Sequence, residues 1–369
     1  MIRTQALAAP LALEGGGVLP GVRVAYETWG ELSPAGDNAV LVLHALTGDS
    51  HVVGAADVEH PTAGWWGDVV GPGRAVDTDC WYVVAPNVLG GCRGTTGPAR
   101  LDPGDHLWGS RFPRITVRDQ VAAELALADA LGIGRWAAVL GGSMGGMRAL
   151  EWAVTAPERV GGLLVLATSA AASAEQIAWS AVQQLAITQD PAWRDGDYDR
   201  AGDGPRAGLG LARRVAHVTY RSEPELAERF GRAPQGAEDP STGGRYAVQS
   251  YLDHQADKLV RRFDAGSYVT LTRAMDTHDV GRARGGVSFA LARTGAALRA
   301  RGVTPIVAAI DSDRLYPPAQ QQELADGLGV RLDLLRSPYG HDGFLLETEQ
   351  VGRLTARVLA GCAQVAAVG

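Results

Sequence analysis

The chain has 369 residues, of which 46% are hydrophobic and 20% charged, and its net charge is −7. This composition fits a globular protein with room for one large domain and an insertion. It excludes the basic footprint of a nucleic-acid binder. No apolar run reaches the roughly 18 residues that suggest a membrane span, and residues 1–10 lack the apolar core of a signal peptide. Three scattered cysteines, Cys80, Cys92 and Cys362, make neither a disulfide framework nor a zinc site. A reduced cytoplasmic setting, no bound metal and no membrane contact are the expectations.

Residues 22–29 alternate apolar and polar side chains, which predicts a half-exposed antiparallel strand at one sheet edge. Residues 38–44 form a continuous apolar run, as do 81–86, 136–140, 163–167 and 305–310. Such runs suit strands buried on both faces. Helix-like stretches, notably 117–131 and 148–155, lie between them, so a mostly parallel sheet covered by helices is expected. From 173 to 284 the chain becomes rich in Gln, Arg and Asp and reads as helix, with loops at 195–205 and 234–244. A strand at 330–335 and a closing helix at 348–360 follow. Residues 1–170 and 290–369 are therefore expected to form an α/β core, and 171–289 an inserted helical lid.

Chemistry centres on Ser143 in Gly141-Gly142-Ser143-Met144-Gly145-Gly146, between an apolar run and a predicted helix. Strand, sharp turn and helix are the setting of a Gly-x-Ser-x-Gly nucleophile elbow, and glycines tolerate its strained turn and close contacts. A serine hydroxyl needs an adjacent base, and in this elbow's fold the chain order is Ser, acid, His. Order sets aside His44, His51, His60 and His106, while His217, His254 and His278 fall in the lid. His341, just after the strand at 330–335, remains. The acid follows the strand at 304–310, where Asp311 and Asp313 compete. Asp313 is favoured by its spacing to Pro317, with Asp311 as a residue bonding local backbone in the turn. Amides of Met144, which follows the nucleophile, and Leu46, in the loop after an early strand, would form the oxyanion hole.

Each feature alone has an ordinary structural explanation. Asp313 suits a turn, and His341 a buried hydrogen-bonded site. Their joint occurrence in order, each at a strand end, is what points to a triad. Trp65 and Trp66 read as core. The glycine-rich stretch 90–97 lacks the Gly-Lys-Ser/Thr ending of a phosphate loop, which excludes an NTPase. Cys92 has no base near it in sequence and reads as inert.

Five stretches resemble the homoserine O-acetyltransferase family of α/β-hydrolase-fold acyltransferases: 44–51 (HALTGDSH), 87–98 (NVLGGCRGTTGP), 141–146, 211–221 (LARRVAHVTYR) and 339–342 (YGHD). The resemblance spans nearly the whole chain. It implies an α/β-hydrolase fold and acyl transfer from acyl-CoA to L-homoserine in methionine biosynthesis. It also implies a ping-pong route through acyl-Ser143, no bound cofactor beyond the acetyl-CoA co-substrate, and a homodimer formed through lid helices. Carried over by motif, Arg213 would grip the homoserine carboxylate and Asp342 its ammonium, with Thr47 and Tyr220 nearby. Succinyl-CoA users of the family carry an arginine two residues after the triad acid. Leu315 stands there, and an apolar residue cannot neutralise a buried carboxylate, which favours acetyl, although Arg314 and Arg93 keep succinyl open. Serine is an alternative acceptor. An esterase or thioesterase with the same triad is the competing enzyme class, and a catalytically inactive binding module is a third.

Overall fold

The structure, a computed structural model, describes residues 1–200, 202 and 204–366. Eight strands make one sheet: β1 (Arg3–Ala6), β2 (Arg23–Trp29), β3 (Ala39–Leu43), β4 (Tyr82–Pro86), β5 (Ala138–Gly142), β6 (Leu163–Leu166), β7 (Ile306–Ile310) and β8 (Leu332–Leu335). Their spatial order is 1-2-4-3-5-6-7-8. The ladder is parallel from β4 to β8 and antiparallel where β2 meets β4 and β1.

Strands β3, β5 and β7 are buried along their whole length. Successive side chains point to opposite faces of a strand, so Leu41 and Leu43 of β3 join one apolar core while Val40 and Val42 join the other. Helices α1 (Val117–Ala130), α2 (Met144–Thr155), α8 (Val287–Arg299) and α9 (Pro318–Leu328) supply the first core. The short α10 (Gly343–Leu346) and the closing α11 (Thr348–Ala366) lie on the second side, where Phe344, Val351 and Val358 pack.

Two expectations need correction. The strand at 22–29 is not the sheet edge, because β1 pairs outside it. The Arg-Thr-Gln-Ala sequence of β1 has no apolar pattern to announce it. Nor is β2 half-exposed, since Val24, Ala25, Tyr26 and Glu27 are all buried. Glu27 can sit inside because partners satisfy it. Ser50 Oγ donates to it at 2.7 Å, and ring nitrogens of His51 and His60 lie 3.3 and 3.4 Å away.

Between β6 and α8 run α3 (Ala174–Thr188), α4 (Arg206–Tyr220), α5 (Glu223–Phe230), α6 (Ala247–Val260) and α7 (Ala265–Asp276). Ser173 and Gln176 start α3 with a reciprocal capping box, satisfying two end groups of the helix. Apolar residues of these helices, including Leu209, Leu259 and Tyr268, pack in one cluster with Leu46 and Met144. They therefore sit over the carboxyl ends of β3 and β5.

Candidate active site

The elbow is built by close approach. A methyl group on Gly141 would strike the Gly145 carbonyl, and one on Gly145 the Leu43 carbonyl. On Gly142 it would lie 2.6 Å from the Phe344 ring, and on Gly146 2.9 Å from Thr168. None of these four glycines takes a positive φ. The strain sits on Ser143 itself, at φ 57° and ψ −126°. A non-glycine residue held so costs on the order of 1–3 kcal/mol, which the surrounding packing must offset. The reward is position: Ser143 stands at the amino end of α2, on the sheet's carboxyl edge.

Chains far apart in sequence complete the site. The loop after β7 brings Asp313, and the turn after β8 brings His341. His341 Nδ1 lies 2.7 Å from Asp313 Oδ2, and its Nε2 lies 2.8 Å from Ser143 Oγ. A neutral ring therefore donates from Nδ1 and accepts the serine proton at Nε2, an assignment fixed by the partners. Asp313 is itself held, because its Oδ1 accepts the amides of Leu315 and Tyr316, both at 2.9 Å. All three side chains are buried. Burial, the largest influence on His341, favours the neutral ring. The charge and hydrogen bond of Asp313, with the charge of Asp342, outweigh it and raise the pKa above 6.5. Asp311 does not bond its own turn. It accepts the Ser337 amide at 3.0 Å and pairs with Arg336, tying the β7 loop to the β8 loop.

Neither the Leu46 nor the Met144 amide is consumed by another group among the described residues. Both residues are buried, and Met144 opens α2. His44, set aside by chain order, braces this loop. Its Nδ1 lies 2.8 Å from the Ala45 carbonyl, and its Nε2 accepts the Val88 amide at 3.1 Å. Burial, then the charge of Arg148, lowers its pKa to about 3, so it stays neutral.

Arg213 reaches the site from α4. Its Nη1 is 3.4 Å from Thr47 Oγ1, its guanidinium lies 5.6 Å from the Tyr220 ring centre, and its buried Nε has no hydrogen-bond partner among the described residues. The Tyr220 ring centre is 5.8 Å from that of His341. Asp342 Oδ2 lies 3.3 Å from Arg221 Nη2. Burial raises the Asp342 pKa, against the opposing charges of Arg221, His341 and Arg213. Serine, base, orienting acid and free amides thus face an arginine and a carboxylate suited to an amino acid's charged ends.

An α/β-hydrolase-fold family model matches residues 38–348. The homoserine O-acetyltransferase of Thermobifida fusca (strain YX) is 62% identical over 357 residues, covering 96% of this chain and 92% of that protein. The chain belongs to the homoserine O-acetyltransferase family. A solved homoserine O-acetyltransferase from Bacillus anthracis shares its fold at TM-score 0.86 and 23% identity, covering 97% of this chain and 98% of that one. Esterase E22 superposes with TM-score 0.85 at 25% identity over 97% of this chain and all of its own. Fold alone therefore does not separate the homoserine O-acetyltransferases from esterases.

Two features escaped the sequence reading of this homoserine O-acetyltransferase family member. Arg221 was visible only as the last residue of a matched stretch, and nothing in the sequence tied it to Asp342. Its role emerges because α4 ends at Tyr220, which delivers Arg221 to the turn that carries His341. The second is a cavity of about 50 Å³ lined by Leu46, Met147, Trp179, Leu315 and Tyr316, among others. Tyr316 stacks on His341 at 5.0 Å, so this cavity adjoins the base. The residues lining it come from six separate segments, which no local pattern could connect.

Proposed function

We propose that this chain transfers an acetyl group from acetyl-CoA to the hydroxyl of L-homoserine through an acyl-Ser143 intermediate. The observation that carries the reading is the Ser143–His341–Asp313 hydrogen-bond chain with Arg213 and Asp342 beside it. His341 takes the serine proton as Oγ attacks the thioester carbonyl, and Asp313 stabilises the imidazolium. The Leu46 and Met144 amides receive the oxyanion. The C–S bond breaks, and CoA leaves with the proton that His341 returns. Homoserine then gives its hydroxyl proton to His341 and attacks the acyl carbonyl; the acyl–Oγ bond breaks, His341 returns the proton to Ser143 Oγ, and O-acetylhomoserine is released. Arg213 holds its carboxylate and Asp342 its ammonium, which places the hydroxyl near the base. Arg221 holds Asp342 in place.

The cavity beside Tyr316 suits an acetyl methyl. A succinyl carboxylate there would meet Leu315 and the Asp276 carboxylate, with no cation in the described lining. Arg314 is engaged elsewhere, donating to the Val218 carbonyl at 2.5 Å. Helices α3–α7 act as the lid over the serine. Exposed apolar residues on α3 (Ile177, Val182, Leu185) and α4 (Leu211, Val218) suit a homodimer contact. Three free cysteines, one exposed, suit a reducing cytoplasm.

The test is incubation with acetyl-CoA followed by homoserine. Wild-type protein acquires an acetyl group on Ser143, seen by mass spectrometry of the peptide, and homoserine removes it as O-acetylhomoserine. Ser143→Ala acquires none. An acetyl adduct on that variant overturns the nucleophile, and acetyl-CoA hydrolysis that homoserine does not divert favours an esterase instead.

A further inference from the structure

We infer that an arginine-lined cavity beyond the oxyanion loop binds the nucleotide phosphates of the acyl-CoA donor, an inference that rests on the acetyl-transfer reading. The cavity has a volume of about 410 Å³ and lies between the loop after β4, the start of α4 and the α6–α7 connection. Arg93, Arg200, Arg206, Arg261 and Arg262 line it, against the carboxylates of Asp199 and Asp264. Cations thus outnumber acids in the described wall, five to two.

Several of these guanidinium groups are shielded from solvent yet incompletely satisfied. Among the described residues, Nε and Nη2 of Arg93, and Nε and Nη1 of Arg200, make no hydrogen bond. Arg93 pairs with Asp49 at 3.8 Å and Arg200 with Asp264 at 3.3 Å. Buried N–H donors without acceptors are costly, and a phosphate supplies several charge-assisted acceptors at once. Pro205 and Arg206 add the amino end of α4, a 15-residue helix whose third amide, Gly208, already donates to Asp190 Oδ2 at 2.8 Å, so the arginines rather than the helix end supply the anion's partners.

The cavity is coupled to the reacting end. Arg262 Nη1 donates to the Thr47 carbonyl at 2.8 Å, one residue from Leu46. Burial, then the nearby charge of Arg213, holds the Arg262 pKa below its ordinary value. Arg206, in the cavity wall, precedes Arg213 by seven residues on α4. That is two turns on one helix face, about 10 Å. A ligand reaching from these arginines to Ser143 needs its charged and reactive ends well apart. Acyl-CoA has that form, with phosphates at one end and a thioester at the tip of a pantetheine arm.

The test compares acetyl-CoA with S-acetylpantetheine, which has no nucleotide, in wild type and in Arg206→Ala/Arg261→Ala. Both arginines are exposed, so their removal spares the fold, and circular dichroism checks it. The expected result is that the ratio of kcat/KM for acetyl-CoA to that for S-acetylpantetheine falls by about tenfold or more. Adenosine 3′,5′-bisphosphate should compete with acetyl-CoA in wild type and lose that effect in the variant. A ratio within about twofold of wild type overturns the site, whatever the absolute rates. If wild type acetylates homoserine from neither donor, the transfer reading fails instead. Calorimetric binding of adenosine 3′,5′-bisphosphate then decides the cavity: loss of affinity in the variant supports it, and equal affinity or no binding to either protein overturns it.

Discussion

Asp313 spends both carboxylate oxygens on geometry, one on His341 and one on the amides of Leu315 and Tyr316. Asp313→Asn keeps the shape but removes the charge that raises the His341 pKa. We expect kcat to fall by about 10⁴-fold, as for the wrong imidazole tautomer. The base must be neutral, so wild-type kcat/KM should decline as pH drops through a value above 6.5. In Asp313→Asn that limb should move to lower pH. An unmoved limb in a pH–rate series would detach Asp313 from His341. Arg213→Ala tests the acceptor grip at the same scale: KM for homoserine should rise by about 100-fold, equivalent to one charged contact, with KM for acetyl-CoA changed far less. Equal rises for both substrates would remove Arg213 from the acceptor site. Among these residues, chain order and strand ends made Ser143, Asp313 and His341 legible as a group. Arg221 was not, because its meaning depends on where α4 stops.

The elbow shows how an element imposes its needs on sequence. The glycine spacing was legible as a strained turn, but the reason differs from residue to residue. Ser143 takes the left-handed backbone, whereas Gly145 is needed because the Leu43 carbonyl of β3 lies where its Cβ would be. Gly145→Ala should therefore push β3 away from α2 and disturb the loop carrying Leu46. Overpacking of this kind costs on the order of 1–3 kcal/mol, and we expect kcat to fall with stability. Denaturant unfolding and acyl-enzyme burst kinetics would measure the two effects. Unchanged values in both would mean that the β3–α2 contact has slack. The strands show the complementary limit. β3, β5 and β7 announced themselves through unbroken apolar runs, since burial on both faces leaves no polar position. β1 did not, because an edge strand makes its bonds with backbone and needs no pattern.

At the scale of the molecule, the apolar face on α3 and α4 asks for a cover. Val182 and Leu185 lie one turn apart and are 50% and 52% exposed. If this face joins two copies, wild-type protein should sediment as a dimer at micromolar concentration, with Val182→Glu/Leu185→Glu shifting it to monomer. A monomeric wild type would leave the face to some other partner. The alternation of buried strands and helices, and the order serine, acid, histidine, were determined by the sequence alone, because they follow from local periodicity and from the topology that periodicity implies. The roles of Glu27, His44 and Arg221 were decided only by tertiary structure, as were the convergence of five arginines on one cavity and the closeness of Arg213 to Thr47. Each depends on a partner at least ten residues distant along the chain, and in most cases on another element. Charge and hydrogen bonding are satisfied in space, and a polar residue in sequence does not reveal whether its partner is water or a buried side chain.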